Sequence, residues 1–317
     1  FLDVARVEVL KGPQSTLFGK NTIAGAINIT TERPGDEFEG RIQGTSEPEF
    51  DGWSSTLTLS GPVTDTVGLR VVGKRLETDG WVDNTFLDEK PSQKDTVGRA
   101  VLTWEATDTL DFMFKYESGD SNNKGRNQMI SVATPFSVGR YQVADPNFKA
   151  GFGYKQSSAN VGGVRSDTEI HDSNWDIATL TAEWALGEHT LKSTTGYIDY
   201  KFENYLDSDS GPLGFLGRGR NETHEQWSQE LLWSSPLGET IEYLVGAYYQ
   251  TEDLKHYRYT DAILSAAGLG DGSLDASGIG NLQQDTDTYS AFTQVTWNFD
   301  ESMRVIAGLR YSDDSKK

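Results

Sequence analysis

From residue 38 to its end the chain alternates apolar with polar side chains at a period of two, and the connections between these runs alternate between tight and long. The runs fall at about 38–46, 52–61, 66–79, 94–106, 109–119, 174–186, 189–204, 222–235, 240–254, 286–299 and 302–315. Alternation at that period predicts strands with one apolar face. On one run Leu110, Phe112, Phe114 and Tyr116 share a face against Asp111, Lys115 and Glu117, with Met113 as the exception. The tight connections lie at 62–66, 105–108, 186–188, 235–239 and 298–301, and polar, Gly- and Ser-rich spans at 80–93, 120–173, 205–221 and 255–285 separate them. Short turns on one side and long loops on the other are the signature of a transmembrane antiparallel β-barrel.

Composition narrows the reading further. Only 36% of residues are hydrophobic, and no window approaches the 18 or so apolar residues that a spanning helix needs, so any crossing of a membrane falls to strands. With 28 basic against 48 acidic residues the formal charge is −20, which argues against nucleic acid as a partner. The absence of cysteine excludes disulfides, thiolate metal sites and cysteine nucleophiles. Trp104, Trp184, Trp233 and Trp297 each precede a tight turn on the apolar parity, forming an aromatic girdle at one boundary between hydrocarbon and headgroups. Tyr116, Tyr249, Tyr289 and Tyr311 lie toward the long loops and supply the second girdle.

The first 34 residues differ. Val4 to Leu10 alternates as a strand, Gly12-Pro13 turns, a short helical piece fits Gln14 to Phe18, Gly19 ends it, and 24–31 resumes an extended, small-residue strand. Gly12, Gly19 and Lys20 mimic a phosphate loop, but six residues separate the glycines instead of four, and Asn21 stands where Ser or Thr must bind magnesium. Nucleotide binding is rejected.

The run from Val7 to Gly19, then Gly25 to Ile29, then Arg33-Pro34, closely resembles the end of the plug domain of TonB-dependent outer-membrane receptors. The residues that carry the resemblance are Arg6, Glu8, Gly12, Pro13, Gly19, Asn21, Gly25, Ala26, Asn28, Arg33 and Pro34. It implies the C-terminal part of an α+β plug at 1–37 and the first half of a 22-stranded barrel at 38–317, truncated at both ends. It also implies active uptake of a scarce solute, a ferric siderophore or similar iron chelate, powered by the TonB complex at the inner membrane and without bond chemistry. The alternatives are a receptor for a vitamin B12-like cofactor or an oligosaccharide, a passive porin, or an adhesive β-protein. Outer-membrane lipid and lipopolysaccharide of a Gram-negative envelope would surround the wall. Plug arginines meet wall glutamates in that family, and the positions that fit are Arg6 and Arg33 with Glu230, since Trp227, Gln229, Leu231 and Trp233 take the outward parity.

Other candidates carry less. Arg126, Arg140, Tyr141, Phe148, Phe152, Tyr154 and Lys155, in the span 120–173, combine cations and rings able to grip a conjugated or anionic ligand, or else to pack on neighbouring loops. His171, His189, His224 and His256 read as solvated, and Asp207, Asp209, Asp271 and Asp275 as acidic loops without the Glu that completes a calcium loop. Neither a catalytic constellation nor a cofactor site is expected, and Asn221 to Thr223 fits a sequon of little meaning in a bacterial envelope.

Overall fold

In the computed structural model, residues 2–19, 22–151, 154–155, 169–265, 272–273, 275–300 and 303–317 are described. Asn21, Phe152 and Asp271 lie outside them, and Tyr154 and Lys155 are described as backbone alone. Two strands, β1 (Val4–Lys11) and β2 (Gly25–Thr31), pair antiparallel around a single helical turn, α1 (Ser15–Phe18). Gly12 and Gly19 take φ of +82° and +74° on either side of that turn, a conformation open to glycine at no steric cost. Gly25 has φ +147°, and a Cβ there would lie 2.3 Å from the Leu10 carbonyl oxygen. We therefore expect Gly25→Val to unseat this hairpin. Amide exchange across β1 and β2 should accelerate at least tenfold, whereas Ala26→Val should leave it within about twofold.

The rest is sheet: β3 (Glu39–Glu47), β4 (Gly52–Thr64), β5 (Val67–Asp79), β6 (Asp83–Asn84), β7 (Ser92–Thr107), β8 (Leu110–Lys124), β9 (Tyr154–Lys155), β10 (Ile170–Leu186), β11 (His189–Asp207), β12 (Leu216–Ser234), β13 (Ile241–Ala262), β14 (Ala276–Asn298) and β15 (Arg304–Lys316). Setting aside the short parallel pair β6 and β9, these form one 11-stranded sheet. Every neighbour in it is antiparallel, and the order follows the chain from β3 to β15. A meander of this kind is the topology of an up-and-down barrel wall, and the sheet is open along β3 and β15. No helix among the described residues is long and apolar enough to cross a membrane, which leaves crossing by strands untouched.

Register fixes the two faces. Trp104 pairs with Val67 and Phe112, Trp184 with Leu110 and Leu191, Trp233 with Leu191 and Val245, and Trp297 with Ile241 and Val305. Trp184 and Trp233 stand in one row, both opposite Leu191, with Trp104 and Trp297 two and four residues off it, and all four lie near the tight turns in a band with Leu102, Phe114, Leu231 and Val295 that faces outward. On β14 the step from Trp297 to Tyr289 is about 26 Å along the strand, close to the height of a lipid-facing band. The opposite parity carries Arg70, Arg99, Glu230 and Arg310 on the concave side, where the N-terminal segment lies.

The strands run further than the alternation shows, mostly at the long-loop end, although β4 also continues to Thr64 through the tight connection at 62–66. The stretch 286–299 becomes Ala276–Asn298, 222–235 becomes Leu216–Ser234, and 120–173 gives up its ends to β8 and β10. Above the apolar band water bathes both faces, so polar side chains occupy both parities while the backbone ladder continues. Within the same span a helix appears, α2 (Pro135–Ala144), with Pro135 at its first turn and the Thr134 hydroxyl accepting from the Ser137 amide at 3.2 Å.

Candidate functional site

The N-terminal segment meets the wall through polar contacts at two ends. At the first, the Asp3 carboxylate accepts two bonds from Arg70, from Nε and Nη2, each 2.7 Å, while Arg70 Nη1 donates to Glu39 at 2.9 Å. The side chains of Asp3 and Arg70 are each only 10% exposed. One strand over, Arg99 donates to the Leu2 carbonyl at 2.5 Å and to Glu117, whose other oxygen accepts the Trp175 indole N–H at 3.0 Å. The fork geometry of both guanidiniums lets each hold two partners at once. Pro34 packs on Gly68, where a Cβ would stand 2.8 Å from its own, and Gly35 donates to the Ser60 hydroxyl at 3.2 Å as the chain passes into β3.

At the other end α1 rests on β14 and β15. Arg310 lies over the Phe292 ring, 4.8 Å from its centroid, and reaches the Thr16 carbonyl at 3.4 Å. Gly308 admits Thr16, whose Cβ would lie 3.3 Å from a Cβ placed there. Beneath α1 a cavity of about 280 Å³ is lined by Leu17, Phe18, Glu230, Tyr248, Arg310 and Asp314.

This arrangement corrects the expected latch. Arg6 pairs with Glu8 of its own strand at 3.2 Å, and Glu8 also accepts from Asn28 across the hairpin at 2.9 Å. Among the described residues neither Arg6 nor Arg33 forms an ion pair with Glu230, which instead shares the α1 cavity with Arg310. The polarity is reversed, with cations on the wall and a carboxylate and a carbonyl on the segment. Geometry explains it: the segment enters against β5 and β7, about 24 Å of sheet away from β12, and Arg6 lies beside a nearer carboxylate. Sequence reasoning missed Asp3, Arg70 and Arg99. The available signal was an arginine on the inward parity of the strand, flanked by Leu69 and Val71 on the outward one.

The loop candidates serve packing between loops. Glu169, 2% exposed, accepts Arg126 Nε at 2.9 Å, Arg126 Nη2 at 2.5 Å and the Asp207 amide at 3.1 Å. Asp207 takes the amides of Asp209 and Ser210, and Asp209 those of Gly211, Phe215 and Leu216, so these carboxylates cap backbone. Tyr141 covers Gly211, contacts Phe148 at 4.7 Å between ring centroids, and donates to the Asp209 carbonyl at 3.3 Å, while Arg140 lies over Phe136. Burial, helped by the Asp209 and Asp207 charges, pushes the Tyr141 hydroxyl up to about 12. The closed loop is therefore expected to hold unchanged through neutral pH and to loosen as pH rises from about 10 toward 12, followed by tyrosinate absorbance. His224 lies 3.4 Å from Glu252 and His256 3.0 Å from Glu222, His171 sits edge-on to Phe202, and His189 stacks on Trp233. Among the described residues no group of three or more His, Asp or Glu side chains is arranged to hold a metal ion.

Fold and seam together define a wall of a transmembrane antiparallel β-barrel with an α+β segment held against its inner face. The family described as TonB dependent receptor-like, beta-barrel, matches residues 115–317, and the chain belongs to that family of outer-membrane transport receptors of Gram-negative bacteria. It is 44% identical to the pesticin receptor of Yersinia pestis over 335 aligned residues, covering 98% of this chain and 42% of that receptor. It is 23% identical to the ferripyoverdine receptor of Pseudomonas aeruginosa over 253 residues, 72% of this chain and 30% of the relative. The ferric yersiniabactin uptake receptor FyuA of Yersinia pestis has the same fold, with a TM-score of 0.76 at 20% identity over 99% of this chain and 45% of that one. The chain thus spans less than half the length of these relatives.

Proposed function

We propose that the receptor to which this chain belongs takes up a ferric siderophore or similar iron chelate across the outer membrane, driven by the TonB complex of the inner membrane. The segment up to Glu37 is the end of its plug, the sheet from Phe38 onward is barrel wall, and Trp104, Trp184, Trp233 and Trp297 form the girdle nearer the tight turns, against membrane lipid. Lipopolysaccharide surrounds the outward face at the loop end. The work is conformational: no bond is made or broken. Relatives named for ferripyoverdine and for ferric yersiniabactin uptake support the ligand class.

The observation that carries this reading is the polar seam. Asp3, the Leu2 carbonyl and the Thr16 carbonyl meet Arg70, Arg99 and Arg310, and water can replace each of these bonds when the segment moves. A passive porin has no use for such a segment. Cells that lack other ferric-chelate receptors and express the intact protein should accumulate radiolabelled iron from a chelate, and lose that accumulation when TonB is deleted or the proton-motive force is collapsed. Accumulation that persists under both conditions contradicts energised uptake, and energised uptake of cobalamin or an oligosaccharide in place of iron would reassign the ligand.

A further inference from the structure

On the outward face of β12 to β15 the wall is not flat. Ala247 and Ala291 stand opposite each other on β13 and β14, with Leu231 closing the row on β12 and Tyr311 closing it on β15. One step nearer the long loops Tyr249 pairs with Tyr289, their rings 4.9 Å apart. Two methyl side chains among these larger ones leave a recess of about 380 Å³, and alanine has no rotamer with which to fill it. Ala291 lies six residues from Trp297, about 20 Å along β14, which puts the recess in the loop-side half of the lipid-facing band. With the long loops outside the cell, that half is the outer leaflet, whose lipid is lipopolysaccharide.

The polar groups around the recess are engaged elsewhere. Gln229 on its rim accepts from the Thr195 hydroxyl at 2.6 Å and donates to the Ser193 hydroxyl at 2.9 Å and the Glu230 carbonyl at 3.0 Å, so its amide is spent on the wall. The Ser290 and Tyr248 hydroxyls are bonded on the inward side, to Ser312 at 2.9 Å and to Gln250 at 2.7 Å. The Tyr249 hydroxyl donates to Asp287 at 3.3 Å, one step further toward the loops. What is offered to an occupant is therefore apolar, except at the rings. Among the described residues the hydroxyls of Tyr289 and Tyr311 have no partner in the protein, and these residues are 56% and 71% exposed.

We propose that this recess seats one acyl chain of an outer-leaflet lipopolysaccharide, with the Tyr289 and Tyr311 hydroxyls donating to oxygens at the head of the same molecule. The inference goes beyond uptake and rests only on the orientation of the wall in that reading. A flat wall is wetted by chains that exchange freely. A chain that drops into the recess meets a methyl floor and ring edges on several sides, and gains dispersion contacts that a flat wall does not offer, against the cost of ordering its methylenes. Water is a poor occupant, because it needs two or more polar partners and the recess turns none inward. The recess is continuous with the lipid-facing band, which makes a hydrocarbon chain the occupant at hand, and its leaflet makes that chain one of lipopolysaccharide and not of phospholipid. Amphipathic rings at this height suit the boundary between chains and headgroups.

The test uses the intact receptor, extracted from outer membranes in mild detergent and washed, with bound lipid counted by native mass spectrometry and by the hydroxy fatty acids of lipid A. Wild type should retain a lipid A molecule through washing. Ala247→Leu/Ala291→Leu fills the recess and should lower that retention by about fivefold or more, and Y289F/Y311F by roughly twofold to fivefold. Ala182→Leu, on the same outward face opposite Phe112 but outside the recess, should leave it unchanged. A second arm needs no substitution: delipidated wild type titrated with lipid A should melt at a higher temperature, and phosphatidylethanolamine at equal concentration should not raise it. Retention by the double leucine variant within about twofold of wild type, or by wild type of phospholipid in place of lipid A, would overturn the proposal. So would a dimer that the leucines dissociate, which would assign the recess to a second copy of the chain. Should the leucine variant not fold, the melting arm decides alone. None of these readouts involves iron, so absence of energised iron uptake would sink the transport reading and leave this one standing.

Discussion

Arg70→Met in the intact receptor is expected to loosen the seating of the N-terminal segment by about 3 kcal/mol, a hundredfold or so in the population of the unseated state. The substitution keeps most of the apolar stem and removes the guanidinium that joins Asp3 to Glu39. Asp3, 10% exposed, is then left without the guanidinium and carries most of the cost, while Glu39, 63% exposed, stays solvated. Amide exchange in β1 and β2 and entry of bulky antibiotics into whole cells should rise together. Asp3→Asn should cost less, because an amide oxygen still accepts from the guanidinium. The pair D3R/R70D should recover part of the loss, giving a coupling energy in a double-mutant cycle. A change under about twofold in exchange would mean that water screens the pair to the level of a surface contact.

Arg126→Met should have an effect of similar size on the loops. Glu169 is 2% exposed and shares its Oε1 between Arg126 and the Asp207 amide, so removal of the cation takes both guanidinium donors from a buried carboxylate. We expect a local cost of about 3 kcal/mol, and whole-cell protease cleavage within 125–151 at least ten times faster than in wild type. Glu169→Gln keeps an acceptor at the same place and should lie between the two. If Arg126→Met cleaves no faster than wild type, the two loops are held by Tyr141 on Gly211 and not by the ion pair.

Much of the wall was legible in the sequence for a simple reason: where hydrocarbon lies on one side, parity is enforced residue by residue, as in Leu110, Phe112, Phe114 and Tyr116. The tryptophan level followed from the same parity and from proximity to the tight turns. Legibility ended where water reaches both faces. Residues 276–285 and 216–221 are strand by backbone pairing alone, and with 205–221 read as loop, parity was never applied to Arg218 and Arg220. The seam was legible in kind but not in partners. That the segment would be held to the wall by ion pairs followed from the resemblance, but which charge sits on which side depends on where the segment enters the sheet. That placement is set by contacts between residues some 70 apart, such as Asp3 with Arg70. The loop candidates were open in a different way, because Arg126 and Tyr141 have side chains that suit a ligand or a neighbouring loop, and the contacts the structure shows are the packing ones, to Glu169, Asp209 and Gly211.

We propose that the N-terminal segment moves as a plug and is not a fixed part of the wall. The chain contains no cysteine, and Cβ atoms at Thr16 and Gly308 would lie 3.3 Å apart, close to the separation a disulfide spans. Thr16→Cys/Gly308→Cys in the intact receptor, oxidised on whole cells, would tie α1 to β15. The account predicts that the oxidised receptor still binds its ferric chelate while energised iron uptake falls below about a tenth of the reduced level, and that a reducing agent restores it. Full uptake through the tethered receptor would show that α1 need not leave the wall, and would contradict the account.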